Sequence, residues 1–228
     1  MPKTVLVTGS SKGLGKELAL IFSKNKYNVI LHGRDINRLI EVKKEVLKNG
    51  VDCCFVAGDL TRESTIDNLS YCAKRFGIDI LINNAGSYSN KTVSATDPKE
   101  LRNLFEVNVI APILLTKQVF GLLKKKGSGL IININSFAGK NPSEGEVVYS
   151  ATKYALHGFS SSFRYEALNS NVVISDFFLG AMDTDITTIR QDREKLMKTR
   201  EVAEVIYSAA KDYLTLRLSE MDILRRIY

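Results

Sequence analysis

The apolar residues of the chain fall into short, almost continuous runs. Such runs are typical of strands buried on both faces, as in a parallel sheet covered by helices. They predict strands at residues 3–8, 28–32, 53–57, 79–83, 129–135 and 172–178, with 221–225 as a candidate last strand. Amphipathic segments between them predict helices at residues 13–25, 35–48, 61–76, 98–125, 148–169 and 200–213.

This alternation of strand and helix predicts an α/β fold, a Rossmann-like doubly wound parallel sheet with helices on both faces. Right-handed crossovers place the carboxyl ends of the strands, and any ligand, along one edge. No repeat or linker divides the 228 residues, so a single domain, 1–228, is predicted. The polar residues 180–199 follow a strand and are predicted to form a lid with a short helix.

Charge and composition narrow the function classes. The net charge of +7 is spread along the chain, which disfavours nucleic-acid binding and is equally explained by a polyanionic small molecule. No apolar run reaches the ~20 residues that a membrane span needs. The three cysteines form no CxxC pair, which argues against a structural metal and for a reducing compartment. The strand predicted near the start leaves no room for a signal peptide, so the cytoplasm is expected.

The stretch TGSSKGLG, residues 8–15, lies between the first predicted strand and the first helix. Glycines allow positive φ and a close backbone approach, and free N–H groups at a helix start suit a diphosphate. The alternative is a tight turn that binds nothing.

This turn and later motifs together resemble the short-chain dehydrogenases/reductases along nearly the whole chain. The matching pieces, in the family's order, are TGSSKGLG, Asp59-Leu60, NNAG at 83–86, Asn108, Ser136 and YSATK at 149–153. The resemblance implies an oxidoreductase that interconverts a carbonyl compound and an alcohol with a nicotinamide cofactor. It also implies a homodimer or homotetramer, built by the segments 98–125 and 148–169.

Tyr149 and Lys153 are four residues apart, so they share one face of the predicted helix. A nearby ammonium lowers the pKa of a phenol, which is ordinarily ~10. The resemblance implies that Tyr149 is the general acid or base, with Lys153 lowering its pKa and holding the nicotinamide ribose. It implies that Ser136 orients the substrate oxygen and that Asn108 holds a water of a proton relay. Taken singly, these residues also fit a solvated helix face, a turn cap and a buried polar contact.

The resemblance also implies a set of cofactor contacts. They are Gly9, Ser11, Lys12, Gly13, Leu14, Gly15, Arg34, Asp59, Leu60, Asn84, Ala85, Gly86, Tyr149, Lys153 and Thr184. NADP(H) is predicted over NAD(H), because Gly33 occupies the usual position of an acid and Arg34 follows it. Lys12 can reach the same 2′-phosphate, whereas Asp35 is placed to cap the next helix.

The substrate is predicted to be a small carbonyl compound or alcohol of unspecified identity. Glu144 and Glu146 hint against strongly anionic substrates, although solvated loop charges fit them as well. Leu179 replaces the family's usual proline, which removes a rigid turn. His157 is expected on a helix surface or an interface. A non-catalytic NADP(H) sensor, an NAD-dependent alcohol dehydrogenase and a sugar-nucleotide epimerase remain alternatives.

Overall fold

The computed structural model describes residues 2–141, 144–184 and 196–225. Within them, seven strands pair in parallel in the order β3-β2-β1-β4-β5-β6-β7. They are β1 (Thr4–Val7), β2 (Asn28–Gly33), β3 (Cys53–Ala57), β4 (Ile80–Asn83), β5 (Gly129–Ser136), β6 (Val172–Leu179) and β7 (Glu220–Ile223). The sheet confirms the predicted α/β class and the candidate last strand.

Helices cover both faces of this sheet. They are α1 (Gly13–Lys24), α2 (Ile36–Leu47), α3 (Glu63–Phe76), α4 (Pro98–Phe105), α5 (Ala111–Lys126), α6 (Val147–Glu166) and α7 (Thr199–Ala210). Side chains of α1, α2 and α7 share one apolar core with the sheet, and those of α3, α5 and α6 share the other. The strands read as continuous apolar runs because each face of the sheet meets a layer of helices.

Helix ends follow the predicted capping chemistry. The Asp35 carboxylate accepts from the backbone N–H groups of Asn37 and Arg38 at 3.0 and 3.1 Å, which makes it the N-cap of α2. Asp97 caps α4 in the same way, with Pro98 at the first helical position. One prediction differs: residues 98–125 form two helices, α4 and α5, joined by a π-helical turn at Glu106–Ile110.

Buried amides tie the sheet to α5 and α6 beneath the carboxyl-terminal edge. Asn83 Nδ2 donates to Asn133 Oδ1 at 2.8 Å and to Thr116 Oγ1 of α5 at 3.0 Å. Asn133 Nδ2 in turn donates to Ser160 Oγ of α6 at 2.8 Å. Since buried polar groups are costly unless paired, these bonds fix both helices against β4 and β5.

The last strand is bound to α6 through charges. Glu220 of β7 accepts from Arg164 Nη1 and His157 Nε2, both at 3.0 Å, and its other carboxylate oxygen lies 3.0 Å from Lys140 Nζ. His157 also packs its ring against Phe178, with centroids 4.8 Å apart. It therefore joins α6 to β6 and β7, which differs from the expected helix-surface or interface position.

One helical segment in the described part of the chain, Pro98–Lys126, is long and apolar enough to cross a membrane by length and composition. Such a segment is weak evidence, because core helices of globular proteins pass the same test. Leu115, Val119 and Leu123 of this segment are fully buried in the core. Packing on the sheet thus accounts for part of its apolar character.

Candidate active site

The glycine-rich turn joins β1 to α1 at the carboxyl-terminal edge. Gly9 and Gly13 have φ angles of +66° and +55°, a region that side chains disfavour. Helix α1 begins at Gly13, and the preceding Lys12 places no side-chain cap on its N–H groups. Because the first N–H groups of a helix lack intrahelical partners, this end is suited to an anionic group such as a diphosphate.

Close backbone packing also requires glycine at positions 9 and 15 of the turn. A Cβ on Gly15 would lie 2.3 Å from the Gly9 carbonyl oxygen, and one on Gly9 would lie 2.9 Å from the Ala85 Cα. Asn84 Nδ2 donates to the Thr8 carbonyl oxygen at 2.8 Å, while Thr8 Oγ1 accepts from the Asn84 backbone N–H at 3.0 Å. The predicted cofactor residues Asn84 and Ala85 therefore brace the turn, and Asn84 does so through its side chain.

The end of β2 is crowded at the position where an acidic side chain would favour NAD. A Cβ on Gly33 would lie 3.1 Å from both Cβ and Oγ of Ser11, so Ser11 fills this position. Arg34 is exposed immediately after it. A hydrogen bond from the Thr61 backbone N–H is the main cause that lowers the pKa of Asp59, and the charge of Arg34 lowers it further. Arg34 and Asp59, both predicted from the sequence to contact the cofactor, thus lie close together at the carboxyl-terminal edge of the sheet.

His32 is a residue of this region that the sequence reasoning missed. It is 3% exposed, its Nδ1 accepts from the Gly9 N–H at 3.3 Å, and its Nε2 lies 3.2 Å from the Gly58 carbonyl oxygen. Burial lowers the pKa of His32 to about 4, so the ring is neutral at physiological pH. A neutral ring that accepts at Nδ1 and donates at Nε2 clamps the glycine turn to the end of β3. A histidine at the end of a buried strand was the only sequence signal for it.

The remaining cofactor residues separate into two kinds. Leu14 and Leu60 are buried, with 4% and 6% exposure, so their side chains belong to the core. Thr184 lies beside the turn, since a Cβ on Gly13 would be 3.7 Å from Thr184 Cγ2. Most of the predicted lid, residues 185–195, lies outside the described residues.

Tyr149 is on the first turn of α6, beside Ser136 at the end of β5. Burial raises the pKa of Tyr149 to about 12, a hydrogen bond with Ser136 opposes the rise, and the charge of Glu146 adds to it. The lowered pKa expected from Lys153 is therefore not found, because burial dominates. Ser136 Oγ also accepts from the Ala138 N–H at 3.2 Å, so it caps the turn after β5 as well.

Lys153 is one turn further along α6 and is 6% exposed. Its ammonium donates to the Ile134 carbonyl oxygen at 3.1 Å and lies 5.8 Å from the centroid of the Tyr149 ring. Burial lowers the pKa of Lys153 to about 8, and the negative charge of Asp176 opposes this effect. The lysine is consequently still charged at neutral pH, beneath the tyrosine.

Asn108 lies in the π-helical turn between α4 and α5 and is 1% exposed. Its Oδ1 accepts from the Ser87 N–H at 2.7 Å, and its Nδ2 donates to Ser87 O at 2.8 Å and to Thr152 Oγ1 at 3.0 Å. A Cβ on Gly86 would lie 3.4 Å from Asn108 Oδ1 and 4.0 Å from Lys153 Nζ. The structure thus brings Asn108 and Lys153 close to the same position beside Gly86, while the water of the relay stays a prediction.

Metal binding has no support in the described ranges, which contain no group of three or more His, Cys, Asp or Glu side chains arranged to hold an ion. Cys53 is buried in β3, whereas Cys54 and Cys72 are partly exposed. Leu179, at the usual position of a proline, is buried and pairs with Ser136 and Ile223 on the neighbouring strands.

Comparison with known proteins gives these features a context. The family model of the short chain dehydrogenases matches residues 3–195. A 3-oxoacyl-[acyl-carrier-protein] reductase of Buchnera aphidicola is 32% identical over 186 residues, which cover 81% of this chain and 75% of that protein. An uncharacterized oxidoreductase of Staphylococcus aureus is 27% identical over 225 residues, 97% of this chain and 96% of the other.

Solved structures agree with the fold. A metagenomic short-chain oxidoreductase in complex with NADP superposes with a TM-score of 0.86 at 26% identity, covering 99% of this chain and 98% of that one. An alcohol dehydrogenase from the archaeon Thermococcus sibiricus, complexed with 5-hydroxy-NADP, gives a TM-score of 0.92 at 24% identity with 100% of each chain covered. With its glycine turn, its parallel sheet and the Ser136, Tyr149 and Lys153 cluster, the chain belongs to the short-chain dehydrogenase family of oxidoreductases.

Proposed function

We propose that the protein is an NADP(H)-dependent oxidoreductase that interconverts a carbonyl compound and an alcohol, with Tyr149 as the general acid or base. The observation that carries this proposal is the partly buried Tyr149 side chain, hydrogen-bonded with Ser136 and one turn from the charged Lys153. These three groups share the edge of the sheet with the glycine turn, where ligands of open α/β sheets bind.

The cofactor preference rests on the end of β2. Gly33 abuts Ser11, so no carboxylate repels a 2′-phosphate there, and Lys12 and Arg34 supply two cations. Two solved family members of similar fold, the metagenomic enzyme and a Sphingobium yanoikuyae dehydrogenase at 25% identity, were obtained with NADP and NADPH. When bound, NADP(H) would supply or accept the hydride at its nicotinamide ring.

Side chains of the protein would then donate the proton to the substrate and restore it afterwards. With its pKa raised to about 12, Tyr149 is protonated at neutral pH, which is the state needed to donate to a carbonyl oxygen. Ser136 would hold that oxygen beside the phenol. Lys153, charged and buried below, would stabilise the phenolate left behind and, together with Asn108, return a proton to it.

Replacing Tyr149 with Phe tests this assignment most directly. Because only the hydroxyl is lost, Tyr149→Phe should keep NADPH binding and reduce kcat by at least ~100-fold, the usual contribution of a positioned general acid. NADPH oxidation over a panel of ketones, aldehydes and quinones gives kcat, and fluorescence titration gives the NADPH affinity. Tyr165→Phe is the matched control, since Tyr165 lies on the same helix and is 78% exposed.

Unchanged turnover in Tyr149→Phe would overturn the mechanism. NADPH binding by the wild-type protein without reduction of any carbonyl compound in the panel would favour the non-catalytic sensor instead. A strong preference for NADH would overturn the choice of cofactor and leave the reaction type standing.

We also propose that the enzyme is a cytoplasmic homodimer or homotetramer. Leu101 on α4, Ile110 in the π-helical turn and Leu114 on α5 are each about two-fifths exposed, and this apolar surface supports contact with a second copy. Sedimentation as a monomer at micromolar concentration would contradict it.

A further inference from the structure

Two loops meet beside Tyr149 and form a polar wall. One is residues 87–91, which follows the NNAG stretch, and the other is residues 144–146, which leads into α6. Tyr88 Oη donates to Glu146 Oε1 at 2.6 Å across this contact. The loops also touch at Gly145, where a Cβ would lie 2.7 Å from Asn90 Oδ1. The position of Glu146 is therefore set by a long-range contact.

Glu146 immediately precedes α6 and yet does not cap it through its side chain. The side chains that commonly cap a helix from this position are the shorter ones of Asp, Asn, Ser and Thr. Here only the Glu146 backbone oxygen serves the helix, accepting from the Ser150 N–H at 2.7 Å, while the carboxylate is bonded to Tyr88. The bond to Tyr88 thus holds a half-buried negative charge just before α6, three residues before Tyr149.

This charge acts on the reacting hydroxyl. The ring of Tyr88, whose hydroxyl donates to Glu146, lies edge-on to the Tyr149 ring, with centroids 4.9 Å apart. Glu146 is also one of the groups that raise the pKa of Tyr149, after burial, so its field reaches the phenol. Any carbonyl oxygen that accepts a proton from Tyr149 must sit within that field. A carboxylate or phosphate next to the carbonyl would be repelled there.

We propose that the Glu146–Tyr88 pair is a specificity determinant that selects carbonyl substrates without a negative charge beside the carbonyl, such as hydroxyketones, over oxo acids. This inference rests on the proposed carbonyl reduction at Tyr149. Glu144 carries the same charge two residues earlier but is exposed, so water and salt screen it. Lys153 supplies the opposing positive charge, and its ammonium is already bonded to the Ile134 carbonyl oxygen.

Paired substrates isolate the effect of charge. Each 2-oxo acid of three to six carbons is compared with its 2-oxo amide, which has the same shape and no charge. NADPH oxidation gives kcat/KM for each, and for a compound that is not reduced, its Ki against the best carbonyl substrate takes its place. The wild-type enzyme should favour the amide by about tenfold or more, as expected for one like charge nearby that water and salt screen only in part.

Neutral variants show which residue is responsible. Glu146→Gln, whose amide oxygen can still accept from Tyr88, should bring the acid-to-amide ratio within about twofold of unity, mainly by improving the acid. Glu144→Gln removes the same charge and should leave the ratio unchanged. NADPH affinity and the midpoint of thermal unfolding should be the same in both variants.

An equal ratio in Glu146→Gln and Glu144→Gln would overturn the inference, as would a wild-type preference for the acids. Should Glu146→Gln fail to fold, the wild-type enzyme still decides: raising NaCl from 0.05 to 0.5 M should narrow the acid–amide gap, and a salt-independent gap would contradict a charge effect. If the wild-type enzyme reduces no carbonyl compound at all, the proposed function fails, and this outcome is distinct from the others.

Discussion

The two ends of the candidate site are built in different ways. At the cofactor end, the glycine turn is fitted to the NNAG stretch so closely that Cβ atoms on Gly9 or Gly15 would overlap backbone atoms. At the reaction end, Asn108 and Lys153 are buried and Tyr149 is partly buried, and hydrogen bonds set their positions. Shape determines the first end, and the chemistry of side chains determines the second.

This difference means that the two ends should fail separately. A larger side chain at the glycine turn should remove cofactor binding, whereas loss of a charged or proton-donating group on α6 should remove turnover. Tyr149→Phe is the test at the reaction end. Three experiments at the cofactor end complete the comparison, and they follow in order of decreasing expected effect on cofactor binding.

Gly15→Ala should have the largest effect. The new Cβ would lie 2.3 Å from the Gly9 carbonyl oxygen and 2.5 Å from Asn84 Nδ2, so the backbone of the turn must shift. Overpacking of this kind costs about 1–3 kcal/mol in stability, and the displaced N–H groups should weaken NADPH binding by ~100-fold or more. Thermal unfolding and fluorescence titration measure the two quantities.

Gly121→Ala is the control for this substitution. Gly121 lies within α5, and a Cβ there meets nothing within 4 Å, so alanine should stabilise the helix by about 0.5–1 kcal/mol. If Gly15→Ala retained wild-type NADPH affinity, the distinction between a steric end and a chemical end would be lost.

Removing the two exposed cations is the next largest change. Lys12→Ala together with Arg34→Ala should raise the KM for NADPH by about 30-fold, because each cation offers a charged hydrogen bond to the 2′-phosphate. The KM for NADH, which lacks that phosphate, should change by less than about threefold. Lys124→Ala with Lys125→Ala removes the same charge at the exposed end of α5 and should leave both constants unchanged. A parallel rise in both KM values would show that the cations serve binding in general.

The smallest effect concerns His32 and the pH dependence of stability. Its folded pKa of about 4 is below the unfolded value of 6.5, so the unfolded state binds more protons between these values. The stability due to the neutral ring is complete above pH ~6.5 and lost as the pH falls towards 4. Relative to His32→Gln, the wild-type protein should lose roughly 3 kcal/mol of unfolding free energy across this window.

The difference between the two proteins is the relevant quantity, because Asp176 titrates in the same range with the opposite sign. Burial raises the pKa of Asp176 to about 6. Its contribution is common to both proteins and cancels in the subtraction. His157→Gln is the control for loss of a histidine, and a His32→Gln slope equal to that of the wild type would show that His32 is not the titrating group.

Local patterns made much of the fold and of the site predictable. Continuous apolar runs identified the buried strands, and Asp35 marked a helix start that the structure contains. The glycine turn was recognised between a strand and a helix, and Ser136, Tyr149 and Lys153 were identified through the resemblance to the short-chain dehydrogenases. Each of these signals lies within a few residues of the feature it predicts.

Contacts between distant segments were not predictable in this way. The bond between Tyr88 and Glu146 joins residues far apart in sequence, and so does the contact of His157 with Glu220. The apolar periodicity of residues 98–125 continues through the π-helical turn, so it gave no sign of the break at Asn108. The predicted direction of the pKa shift of Tyr149 was wrong, because the sequence shows its neighbours on the helix but not how far the phenol is desolvated.

The anchoring of α6 by Glu220 has a consequence for the order of events during synthesis. Helix α6 is complete once residue 166 has been made, but Arg164 and His157 acquire their shared carboxylate only when residue 220 has left the ribosome. Until then, the helix that carries Tyr149 and Lys153 lacks its charged link to β7, although Ser160 can already bond to Asn133 of β5. The link between α6 and β7 therefore forms later in synthesis than the bond between α6 and β5.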